Sequence, residues 1–150
     1  MESMLLVLLG FFLGLVPGWW TRKQRLKMHW CALRAEIAIC TELAETYLND
    51  KIMAPLYRLP TKAFSASFPA LLADAALNEL EVKQLSKFYE LVEQVNRGLD
   101  YAAEYVKNNN IVALSAEYNR LITKVNNLVK PHSNSNNMYT LTVAVIERHF

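Results

Sequence analysis

Glycine is scarce in this chain: only four of the 150 residues are glycine, and three of them lie in the N-terminal 20 positions. Phosphate-binding loops of the Walker and Rossmann types need several glycines at fixed spacing, so both are excluded. None of the three histidines has a glutamate three positions before it, which excludes the di-iron signature of helical bundles. A Gly-x-Ser-x-Gly nucleophile motif is also absent. We therefore expect a protein that is not an enzyme and that binds neither a cofactor nor a metal.

Cysteine is equally limited, with Cys31 and Cys40 as the only two. Because helical residues are about 100° apart, nine positions place these thiols on opposite sides of a helix, where they cannot form a disulfide with each other. The pattern indicates packing thiols in a reducing compartment. The alternative is a disulfide between two chains.

The chain does contain a long apolar run, residues 4–20, which has 17 residues and no charged side chain. As a helix it spans about 25 Å, near the lower limit for crossing a hydrocarbon core of ~30 Å. It lacks the preceding cations and the Ala-x-Ala site of a cleaved signal peptide. We therefore predict a short tail and a transmembrane anchor over residues 1–21. The alternatives are a signal peptide and a buried helix of a soluble protein.

A cationic segment follows this run directly. The positive-inside rule predicts that the cations lie in the cytoplasm and that the N terminus lies outside. We expect anionic lipid headgroups to be bound by the basic residues and by the tryptophans before them, namely Arg22, Lys23, Arg25, Lys27, Trp19 and Trp20. Residues 35–150 carry 11 Lys and Arg against 13 Asp and Glu, a net charge of −2, so we expect no nucleic-acid partner.

The three N-terminal glycines, Gly10, Gly14 and Gly18, recur every four residues and therefore lie on one side of a helix. Such spacing lets two helix backbones approach closely, which predicts a packing face between membrane helices. Pro17 cannot donate a hydrogen bond to the carbonyl of Leu13, so we expect a kink or a helix end at this point. In that case Gly18 acts as a hinge and not as a contact.

The first heptad seam covers residues 26–47 and predicts a long helix, nearly continuous with the anchor, that ends near Asn49. We interpret the first part of this seam as a surface for self-association. Its residues are Leu26, Trp30, Leu33 and Ile37.

Two further seams lie in the second half of the chain, at residues 85–106 and 111–128. Asn78 and Glu81 precede the first of them at the spacing of a capping box, which predicts a helix start. Only the asparagines at 108–110 separate the two seams, so the helices should be antiparallel neighbours.

Two segments are less regular. Residues 51–77 contain three prolines but are too apolar for a flexible linker, so we expect them to pack over the bundle. Residues 131–150 form a polar linker and a short C-terminal segment. Within this segment 138–146 fits either a helix or a strand, and we favour a helix because a lone strand would lack a partner. The prediction is therefore all-α: an N-terminal transmembrane helix, then an antiparallel three- or four-helix bundle over 22–130.

Asn96 is a candidate core polar residue, because it lies beside Val92 and Leu99 of the second seam. A polar residue near a core often fixes the register of packing or the choice of partner. The alternative is an exposed position at the boundary of the helix.

In outline, the chain resembles small bacterial and phage single-pass membrane proteins with a helical domain of unknown function. The shared features over residues 4–106 are an apolar anchor, a basic flank, a long helix, a proline-rich aromatic stretch and a Phe88-Tyr89 helix with a downstream Asn96. The resemblance carries over no functional residues.

These patterns favour a non-enzymatic helical interaction module, anchored at the cytoplasmic face of a membrane, that self-associates or joins a membrane complex. Its expected partners are a bilayer with anionic headgroups and either another protein or further copies of the chain. The alternative is a membrane-active phage or toxin-like protein, such as an exclusion, lysis or pore-forming factor.

Overall fold

The computed structural model describes residues 2–49, 58–129 and 137–150, and every regular element within these ranges is helical. The elements are α1 (Glu2–Asn49), α2 (Lys62–Ala73), α3 (Glu79–Lys107), α4 (Ile111–Asn126), α5 (Met138–Ile146) and a 3-10 turn (Glu147–His149). The all-α prediction is confirmed for these ranges, and so is the choice of a helix over a strand for 138–146. Residues 50–57 and 130–136 lie outside the described residues. They include part of the proline-containing segment 51–77 and most of the predicted polar linker.

α1 is one helix of 48 residues that contains Pro17. Of the two outcomes predicted at this proline, a helix end does not occur. One turn after the proline, the Thr21 hydroxyl donates a hydrogen bond to the backbone carbonyl oxygens of Pro17 and Gly18. The distances from the hydroxyl oxygen are 2.9 Å and 3.0 Å. The predicted continuity of the N-terminal run with the long helix is confirmed, and α1 is described as far as Asn49.

In the described part of the chain, no helix combines the length and the apolarity that crossing a membrane requires. The transmembrane anchor predicted for residues 1–21 is therefore not supported. The predicted localisation, a single-pass membrane protein with its N terminus outside and its C-terminal domain in the cytoplasm, is wrong. The uncharged run at 4–20 has 17 residues and spans about 25 Å as a helix, which is less than a hydrocarbon core of ~30 Å.

The core forms where one face of α1 meets the other helices. The buried apolar side chains of α1 follow the first heptad seam, and they are Trp30, Leu33, Ile37, Cys40, Ala44 and Tyr47. They belong to one cluster with residues of the other helices, including Leu71, Leu85, Phe88, Val92, Leu121 and Ile146. Burying a large apolar side chain of this kind contributes about 1.5–3 kcal/mol, so this seam is a main source of the stability of the fold.

α3 and α4 form a helical hairpin. The capping box predicted at the start of α3 is confirmed, because the backbone N–H of Glu81 donates to the Asn78 side chain and the Glu81 carboxylate accepts from the Asn78 backbone, both at 2.9 Å. Asn109 has a φ of 51°, the left-handed conformation that ends α3. α4 then runs back along α3 so closely that a Cβ atom on Gly98 would lie 2.6 Å from Cδ2 of Leu121.

The described part of segment 51–77 packs over the bundle as predicted, with Leu59 and Leu71 both buried. It forms one 12-residue helix, α2, that contains Pro69. Thr61 occupies the N-cap position of α2 but makes no side-chain capping bond.

Candidate interaction surface

The start of α2 is capped by a side chain from α1. Glu36 is 5% exposed, and its carboxylate accepts hydrogen bonds from the backbone N–H groups of Ala63, at 2.6 Å, and Phe64, at 2.9 Å. These N–H groups would otherwise have no partner in the first turn of the helix, and a negative charge there is favourable to the helix dipole. Glu36 therefore fixes α2 on the inner side of α1.

Asn96 of α3 fixes the segment that leads into α2. Its Oδ1 accepts from the backbone N–H of Leu59 at 2.8 Å, and its Nδ2 donates to the carbonyl oxygen of Leu59 at 2.9 Å. The side chain is partly buried. It binds both the backbone N–H and the backbone carbonyl of Leu59, as an adjacent β-strand does in a sheet. Its observed contacts are within the chain, and they set the position of Leu59 against α3.

The buried thiol of Cys40 and the buried phenol of Tyr89 lie beside Glu36. Burial raises the pKa of the Cys40 thiol to about 12, and the negative charge of Glu36 acts in the same direction. The pKa of Tyr89 is raised as well, first by burial and then by Glu36. Both groups therefore keep their protons at neutral pH, and Cys40 is a packing thiol and not a nucleophile. Cys31, by contrast, is exposed.

Two of the four basic residues that follow the apolar run, Arg22 and Arg25, bind the C-terminal end of α2. The Arg25 guanidinium contacts both carboxylate oxygens of Asp74, at 2.8 and 2.9 Å, and Arg22 donates to the Asp74 carbonyl oxygen at 2.6 Å. Asp74 is the C-cap residue of α2, so both cations meet the negative end of that helix. Two cations expected to meet lipid headgroups therefore have a partner within the chain. Lys23 lies 5.4 Å from the centre of the Trp19 ring.

The C-terminal residues fold back onto α1 and the start of α3. His149 stacks on Trp30 with ring centres 3.9 Å apart, and its Nε2 lies 2.9 Å from the buried carboxylate of Glu81. Arg34 pairs with Glu147 at 2.8 Å. These contacts occupy one flank of α1 in addition to its core face.

The opposite side of α1 is open. We give the name outer face to eight exposed side chains that lie within about 60° of Cys31 around the helix: Trp20, Gln24, Lys27, Met28, Cys31, Ala35, Ala38 and Glu42. Arg34 lies at the edge of the same arc and is paired with Glu147, and Glu45, inside the arc, is half-buried. Met28 is 71% exposed and Trp20 is 58% exposed. A shallow groove lies at the N-terminal end of this face, lined by Trp20, Lys23, Gln24, Lys27, Met28 and Cys31.

The predicted self-association seam lies on the other side of the helix. Trp30, Leu33 and Ile37 are each at most 3% exposed, and Leu26 packs against the same core. Their contacts are therefore made within one chain, and the side chains of α1 that remain open to another molecule are those of the outer face.

The predicted glycine face has no neighbours at the positions that can be described. A Cβ atom added at Gly10 or Gly18 would meet nothing within 4 Å. Gly14 lies within α1, but its surroundings lie outside the described residues. Packing of these glycines against a second helix stays a prediction.

A second exposed apolar group lies at the start of α4, directly after its connection with α3, and we call this group the hairpin tip. Its most exposed residues are Val112, at 83%, and Ile111, at 76%. Unlike the outer face, the hairpin tip is confined to the first turn of a helix and offers no extended helical surface.

Over the described ranges, no group of three or more His, Cys, Asp and Glu side chains could hold a metal ion. No protein-family model, curated protein or solved structure was found to match this chain. The resemblance to small bacterial and phage proteins therefore stays a prediction.

Proposed function

We propose that this chain is a non-enzymatic helical module that binds another protein, or a second copy of itself, through the outer face of α1. The observation that carries the proposal is the pattern of exposure along α1. One side of the helix is occupied by the core, whereas the other presents Trp20 and Met28 to solvent. Large exposed apolar side chains that are grouped on one surface and bordered by polar residues are typical of interaction sites.

The position of the outer face on a braced helix supports the proposal. Between residues 25 and 36, α1 is held by the ion pair of Arg25 with Asp74, by the capping bonds of Glu36 and by the stacking of His149 on Trp30. A surface that is already ordered loses little conformational entropy when it binds. None of these contacts uses a side chain of the outer face, so binding there need not disturb the fold.

Site-specific photocrosslinking tests the proposal. A benzophenone amino acid replaces Met28 in the outer face or, as the matched control, Val112 in the hairpin tip, which is at least as exposed. We expect a discrete protein adduct from position 28 and none from position 112, in cells that express the chain. No adduct from position 28, or the same adducts from both positions, would contradict the proposal. The crosslinked peptide identifies whether the adduct is another protein or a second copy.

A further inference from the structure

We infer that the outer face of α1 binds the outer face of a second copy, with the two α1 helices antiparallel and crossing near Ala35. The inference rests on the proposed function and names the partner. It follows from how charge is distributed along this face, together with the apolar side chains that accompany the charges.

The charges of the outer face are separated by sign. Arg34, at the edge of this face, is paired with Glu147 of its own chain. Within the face, Lys27 lies toward the N-terminal end and Glu42 toward the C-terminal end, while Cys31, Ala35 and Ala38 between them are uncharged. All five are exposed. Within the described ranges, the Lys27 and Glu42 side chains are in no ion pair, whereas the cations Arg22 and Arg25 are paired with Asp74. The two ends of the face therefore have charges that are free to meet complementary ones.

Antiparallel pairing of two copies satisfies both ends at once. A two-fold axis near Ala35 places Lys27 of each copy opposite Glu42 of the other, because the two residues are nearly equally far from Ala35 along the helix. The same register sets Cys31 opposite Ala38. These small side chains at the crossing point allow the helices to approach closely, and Met28 can cover the contact from its edge.

Parallel pairing is disfavoured by the same charges. It would place Lys27 against Lys27 and Glu42 against Glu42, and like charges in direct contact cost affinity. The seam on the inner side of α1 offers no alternative, because it is buried in the core of its own chain.

A charge-exchange experiment tests this register. Lys27→Glu and Glu42→Lys are made singly and together in the full 150-residue chain, and sedimentation equilibrium gives the dimer dissociation constant. Each single substitution puts like charges at two symmetric contacts, so we expect dissociation constants raised about tenfold. The double variant recreates opposite pairs and should return to within about threefold of the original chain. Both side chains are exposed, and circular dichroism should show unchanged helix content.

The outcomes separate this inference from the proposed function. A double variant as weak as the single ones would overturn the antiparallel register. An original chain that stays monomeric up to millimolar concentration would overturn pairing with a second copy. If position 28 still crosslinks to a different protein, the proposed function survives while this inference fails.

Disulfide trapping checks the orientation independently. In an antiparallel pair centred on Ala35, the two Cys31 residues are offset by about 12 Å along the helices, which is beyond the reach of a disulfide. Ala35→Cys in a Cys31→Ser background places two thiols beside the axis, so we expect it to form a covalent dimer on mild oxidation. The original chain should not. A parallel pair in register would bring the two Cys31 residues together as well, so ready crosslinking of the original chain through Cys31 would contradict the antiparallel orientation.

Discussion

The carboxylate of Glu36, in the second half of α1, accepts a hydrogen bond of 2.9 Å from the backbone N–H of Phe64 in the first turn of α2. One helix is thus capped by the side of another, 28 positions away in sequence. This relationship fixes which side of α1 faces inward. The outer face follows as the side that the fold leaves unused.

Removing the capping carboxylate should destabilise the protein. Glu36→Ala leaves the backbone N–H groups of Ala63 and Phe64 without their acceptor in a buried position, which should lower the free energy of unfolding by about 1–3 kcal/mol. Urea denaturation followed by circular dichroism measures this change. Glu93→Ala, which removes an exposed carboxylate from α3, is the control and should change the free energy by less than about 0.5 kcal/mol. Equal losses in the two variants would show that Glu36 is not a cap.

The two cysteines should differ sharply in reactivity. In dilute solution at pH 8, a thiol reagent should modify the exposed Cys31 and leave Cys40 unmodified, because Cys40 is buried and its pKa is raised to about 12. Titration with Ellman's reagent should count one thiol per native chain and two per denatured chain. Modification of both thiols at similar rates in the native protein would mean that Cys40 is accessible.

Stability should fall at alkaline pH. The folded state raises the pKa of Cys40 from 9.0 and that of Tyr89 from 10.0, so it holds both protons more tightly than the unfolded chain does. Their stabilising contribution is complete below about pH 9 and is lost progressively as the pH rises toward 12. Each group contributes a slope of up to about 1.4 kcal/mol per pH unit where only the unfolded form ionises.

Urea denaturation between pH 8 and pH 11 measures this dependence. Tyr89→Phe removes one of the two groups while keeping the ring, so its stability should fall less steeply above pH 10. A free energy of unfolding that stays constant over this range, or an equally steep fall in the variant, would rule out the proposed linkage.

Local features of the fold could be predicted from the sequence, because their causes lie within a few residues. The heptad spacing of Trp30, Leu33 and Ile37 corresponds to the buried face of α1, and the capping box of Asn78 and Glu81 is an interaction between residues three positions apart. Heptad spacing does not, however, distinguish a core from an interface. The sequence therefore assigned the interaction to the side of α1 that the fold buries.

Long-range polar contacts could not be predicted, because no local pattern indicates them. His149 lies 68 positions from Glu81, and Asn96 lies 37 positions from Leu59. The sequence did single out Asn96 by its place beside the seam, but not its partner. The apolar run at 4–20 was misleading for a different reason, since it lacks charge as a membrane span does but covers only about 25 Å as a helix.

Sedimentation velocity over a wide concentration range compares the original chain with Met28→Asp in the outer face and Val112→Asp in the hairpin tip. Both substitutions place a charge at a highly exposed apolar position, so neither should affect folding. We expect the original chain and Val112→Asp to approach twice the mass of one chain as concentration rises, while Met28→Asp remains a monomer. Association that is unchanged by Met28→Asp, or that is abolished by Val112→Asp alone, would show that the outer face of α1 is not the interaction surface.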